Sequence, residues 1–83
     1  MLSNNQIAVL RAVHAMNNVS GYNPTIGEVA KVANVSKGVA TRSLEKLCGL
    51  GFVTCHKMRT KKPRYSFQII FAGLDFLISK GLL

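Results

Sequence analysis

Eight basic side chains crowd the middle of this sequence: Lys37, Arg42, Lys46, Lys57, Arg59, Lys61, Lys62 and Arg64. Between Ser36 and Arg64 they meet one acid, Glu45, and eight cations less one carboxylate leave +7 of the chain's net +8. A surface that is merely solvated scatters both signs over all its elements, whereas cations gathered in this way face a polyanion. A row of phosphates is the polyanion such a segment suits.

Little else in the chain promises chemistry. Glu28, Glu45 and Asp75 are the only acids, and neither a glycine-rich phosphate loop nor a nucleophile beside a base is present, so catalysis is not expected. Cys48 and Cys55 are too few for a disulfide framework and lack the flanking pairs of a zinc site. They read as small hydrophobes rather than as a redox sensor. His14 and His56 stand far apart with no second ligand at metal spacing, so no metal or other cofactor is predicted.

The elements that carry the basic segment must fit within 83 residues, which predicts a single domain over residues 1–83. The sequence pI is about 10.1. Polar residues Ser3 to Gln6 stand where a signal peptide would turn apolar, and Gly73, Asp75 and Ser79 break the longest apolar stretch. The expectation is a soluble cytoplasmic protein with no membrane partner.

Ser3 with Gln6 three residues on predicts the capped start of a first helix, which must stop before Gly21-Tyr22-Asn23-Pro24. Val9, Ala12, Val13 and Met16 share its inward arc, leaving Ile7 and Leu10 outside it. Thr25 and Glu28 repeat the capping pattern for a short second helix with Ile26, Val29, Ala30 and Ala33 inward. Asn34 enters the left-handed region cheaply and so suits a tight turn. Ser36 caps a third helix that runs to Leu50 and stops at Gly51, with Ala40, Leu44 and Leu47 as its core face. Residues 52–58 and 65–69 have strand character, the second run placing Tyr65, Phe67 and Ile69 inward and Ser66 and Gln68 in water. A last helix spans about 70–79, with Ile70, Leu74, Leu77 and Ile78 inward and Ala72 and Phe76 turned away.

This order is α+β and mostly helical: three helices, a two-stranded wing and a C-terminal helix. Residues 28–47, from Glu28-Val29-Ala30 through Asn34-Val35-Ser36 to Leu44-Glu45-Lys46-Leu47, resemble the helix-turn-helix of the multiple-antibiotic-resistance regulator (MarR) family. Leu50-Gly51-Phe52-Val53 is similar to that family's passage into the first wing strand, and residues 69–77 to the segment opening the next helix. The approach Gly21 to Thr25 looks more like the DNA-binding domain of LexA-type repressors. Two departures are that Asn34 stands where glycine is usual and that the family's further terminal helices are not in this chain.

The resemblance implies a winged helix-turn-helix that binds double-stranded DNA and regulates transcription. Small winged helices also serve as plasmid or viral replication and partition proteins, or as protein-interaction modules. For a DNA reader, Lys37, Gly38, Thr41 and Arg42 would reach base edges and Val39 a thymine methyl, with Lys46 on the flank. Thr25 and Ser36 sit at helix N-termini, where N–H groups favour phosphate. Arg59, Lys61, Lys62 and Arg64 would follow the backbone or a minor groove. The apolar surplus of the first and last helices, through Ile7, Leu10, Phe71, Ala72, Phe76 and Leu83, predicts a homodimer. No small-molecule effector is evident.

Overall fold

The computed structural model describes residues 2–19, 21–58 and 64–82. Helix α1 (Asn4–Val19) begins as its sequence dictates. The Ser3 hydroxyl accepts from the Gln6 N–H at 3.2 Å, and the Gln6 side chain accepts from the Ser3 N–H at 2.9 Å. The helix runs through the middle of the molecule, packing on all the later helices and on the second wing strand. Val9, Leu10 and Val13 are therefore fully enclosed. Leu10 was expected outside the inward arc and on a dimer surface; it lies instead in this chain's own core, and Ile7 packs half-buried against that core. A helix apolar on several sides needs several neighbours, and here the same chain supplies them.

Helix α2 (Ile26–Ala33) carries a complete capping box between Thr25 and Glu28 and ends at Asn34. Asn34 adopts φ 57° and ψ 47°, the left-handed conformation that the tight turn requires. The Val35 N–H returns to the Ala30 carbonyl at 3.0 Å and closes that turn. Helix α3 (Lys37–Gly49) starts at Ser36, whose hydroxyl accepts from the Val39 N–H at 3.2 Å. It buries Ala40, Ser43, Leu44 and Leu47, and at its end Gly51 turns left-handed with φ 77°.

Strands β1 (Val53–Met58) and β2 (Arg64–Ile69) pair antiparallel, with Val53 opposite Ile69, Cys55 opposite Phe67 and Lys57 opposite Tyr65. Opposed residues share a face of the sheet, so these six form the side turned toward α3. Two burial expectations for β2 fail. Ser66, expected in water, is 4% exposed, and Tyr65, expected buried, is 44% exposed. The reason for the first is an isolated backbone bridge: Thr25 pairs with Ser66, and the Phe67 N–H donates to the Pro24 carbonyl at 3.0 Å. The approach to α2 thus flanks β2 at its middle. Tyr65 lies farther toward the hairpin tip and faces α3 across an open cleft.

Helix α4 (Phe71–Ser79) docks by Gly73 and Leu77, both buried. A Cβ on Gly73 would collide with the Phe52 carbonyl oxygen, so only glycine allows this approach. Docking along that line rotates the helix away from the expected orientation. Phe76, expected to point outward, is half-buried against Phe52, with ring centroids 5.5 Å apart. Ile78, expected inward, is 57% exposed. Phe71 at 84% and its neighbour Ala72 remain in solvent. Leu83, also expected at a dimer surface, lies outside the described residues.

Candidate nucleic-acid interface

The turn at Asn34 sets α3 across α2, with its Ala40–Leu44–Leu47 line pressed on the core. The opposite side of the helix is therefore fixed in solvent. Lys37, Gly38, Arg42, Glu45 and Lys46 are all exposed there, while Val39 and Thr41 are half-buried on the flanks. Thr41 donates its hydroxyl proton to the Lys37 carbonyl at 2.8 Å, which holds its side chain against the helix. Gly38 has open space around it.

The two helix N-termini differ in charge. In α2 the Glu28 carboxylate accepts from the Thr25 N–H and the Thr25 hydroxyl, both at 3.0 Å. Tyr22 donates its phenol proton to the same carboxylate at 2.9 Å, and this bond pushes the Tyr22 pKa above its ordinary value. A carboxylate thus already occupies the terminus that was expected to attract phosphate at Thr25. The first turn of α3 contains no acidic residue, and exposed Ser36 and Lys37 begin it. Of the two helix ends, Ser36 offers the place an anion would favour.

On the wing, Arg59, Lys61 and Lys62 lie outside the described residues, as does the side chain of Arg64. The described part adds a pairing that charge alone does not give. Lys57 and Tyr65 stand opposite one another, both exposed, on the sheet face turned toward α3. The signal was strand parity, since Val53 is buried and Lys57 lies four residues along the same face. Between that face and α3 is a cavity of about 480 Å³, bordered by Thr41, Glu45 and Cys48 on the helix and Cys55, Tyr65 and Phe67 on the wing.

The rest of the molecule offers less. His14 meets the Asn18 side chain at 2.9 Å, one turn along α1. Among the described residues no group of three or more His, Cys, Asp or Glu is placed to hold a metal ion. None of the described helices is long and apolar enough to cross a membrane.

No protein-family model matches the sequence, and no curated protein matches it either. Solved structures do match in shape. A MepR variant from a multidrug-resistant S. aureus clinical isolate superposes with a TM-score of 0.80 at 14% identity, over 94% of this chain and 54% of that one. ZitR of Lactococcus lactis, a zinc-responsive MarR family member, gives 0.74 at 12% identity, over 98% of this chain and 52% of that one. This chain thus spans about half the length of these two regulators. A protein from Ralstonia eutropha, described as a candidate DNA-binding protein, gives 0.77 at 16% identity and is covered over 96% of its own length. In architecture, then, the chain is a winged helix-turn-helix like that of MarR family regulators.

Proposed function

We propose that this protein binds double-stranded DNA and regulates transcription, with α3 in the major groove and the wing along the backbone. One observation carries the reading. Eight of the chain's eleven basic residues fall between Ser36 and Arg64 in the sequence, and of these Lys37, Arg42, Lys46 and Lys57 are described in solvent on α3 and β1. The N-terminal half of α3 would supply base contacts through Lys37, Gly38 and Arg42, with Val39 and Thr41 at the margins. Lys46, Lys57, Arg59, Lys61, Lys62 and Arg64 would neutralise phosphates.

A twofold dimer fits the exposed apolar side of α4. Phe71 and Ile78 lie on one face, two turns apart, with half-buried Leu74 between them. Two copies paired there would present two recognition helices to a palindromic site, about 34 Å apart or a multiple of that.

Selection of bound duplexes from a random pool, followed by affinity measurement from about 50 to 200 mM salt, tests the reading. One enriched motif and a fall of orders of magnitude in affinity are expected. Absence of duplex binding at every salt concentration would overturn it and favour a protein-interaction module.

A further inference from the structure

Cys48 lies in the last turn of α3 and Cys55 in the middle of β1, yet both line the same cavity between helix and wing. Both thiols are free. Partial burial raises the pKa of each thiol, and a charge on Cys55 would raise that of Cys48 further. Thiols held protonated are poor nucleophiles toward oxidants, which argues against peroxide chemistry here. No third His, Cys, Asp or Glu completes a ligand group among the described residues, so a tetrahedral zinc set is excluded there. Two sulfurs without a third ligand suit the linear coordination of closed-shell, soft monovalent cations.

We propose that Cys48 and Cys55 form a two-coordinate site for a soft monovalent cation of the copper(I) and silver(I) class, in the cleft between α3 and the wing. On binding, two S–H bonds break, two metal–sulfur bonds form and two protons pass to solvent, with no change of oxidation state. One positive charge enters and two leave, so the cleft becomes more negative by one. Glu45 on α3 lines the same cleft, the Tyr65 phenol of β2 faces it, and Lys57 extends the same sheet face, while α2 contributes Ile26 to the lining. The added negative charge falls between the two elements assigned to phosphate contact, and duplex affinity drops several-fold. This consequence rests on the DNA-binding reading; the cation site itself does not.

Silver(I) nitrate, added to the intact DNA-free protein in chloride-free buffer, tests the site by near-ultraviolet sulfur-to-metal absorption and native mass. One silver per chain is expected. Cys48→Ala and Cys55→Ala should each weaken binding by orders of magnitude while thermal melting shows both variants folded. A single variant that binds like the wild type, or one silver shared by two chains through Cys55, overturns the site. In a second arm, silver should lower the duplex affinity of the wild type and leave a Cys48→Ala, Cys55→Ala double variant unchanged, which controls for silver on the bases. Equal affinity with and without silver overturns the regulatory consequence. Failure to bind duplex before silver is added overturns the DNA reading instead.

Discussion

Asn17 holds Ile69 as a neighbouring strand would. The Ile69 N–H donates to Asn17 Oδ1 at 2.8 Å, and Asn17 Nδ2 donates to the Phe67 carbonyl at 3.3 Å and the Tyr22 carbonyl at 3.1 Å. One carboxamide on α1 thus replaces a peptide unit beside the outer edge of β2 and also ties down the loop before α2. Replacing Asn17 by Leu leaves a part-buried N–H without its partner. The expected loss is about 1–3 kcal/mol in urea unfolding. A variant as stable as the wild type would mean that water replaces the amide there.

Gly73 fixes how close α4 comes to the root of the wing. Gly73→Ala forces a methyl group against the Phe52 carbonyl oxygen and the Ile69 side chain. Overpacking of this kind costs about 1–3 kcal/mol. Thermal unfolding should show a lower midpoint, whereas Gly38→Ala, with open space around it, should leave stability nearly unchanged.

Arg42 is exposed on the side of α3 away from the core. Arg42→Ala should cost about 1–3 kcal/mol on the preferred duplex and less on random DNA, with no fall in melting temperature. Equal losses on both duplexes would make Arg42 a phosphate contact. Lys61→Ala with Lys62→Ala should weaken binding to every duplex alike and flatten the salt slope by roughly two phosphate contacts.

The dimer is best probed at Phe71. Phe71→Glu changes a side chain that is 84% exposed, so the monomer should keep its stability while sedimentation shows the dimer lost. Phe76→Glu, the choice that helix periodicity alone suggests, would place a charge against Phe52 and destabilise the fold itself. A wild-type monomer at micromolar concentration would remove the dimer from the proposal.

Local signals made most of this fold legible in the sequence. Ser3, Thr25 and Ser36 start helices through their own hydroxyls, Asn34 and Gly51 turn left-handed, and the helix and strand limits differ from expectation by about a residue. Relations between elements were hidden. Leu10 looked surplus because periodicity cannot show that a helix is enclosed on several sides. The rotation of α4 depended on Gly73, whose missing side chain gives no hydrophobic signal. Ser66 is covered by a bridge at Thr25, a single pairing that leaves no pattern in the sequence. Asn17 looked like an ordinary polar residue near a helix end, and nothing in the spacing of Cys48 and Cys55 placed them on one cavity. For the proposed DNA site, charge marked Lys37, Arg42, Lys46 and Lys57 in the sequence, while the pairing of Lys57 with Tyr65 needed the strand register.

Phe52 is where three parts of the molecule meet. Its carbonyl accepts the Ile70 N–H at 3.1 Å, its ring packs on Phe76, and Gly73 abuts its backbone. The end of α3, the root of the wing and the start of α4 are thereby riveted at one residue. Two copies joined through α4 would behave as a caliper of fixed opening. Such a protein measures the distance between half-sites as strictly as it reads their bases, and one base pair inserted at the centre of its site would be felt as a misfit in both halves.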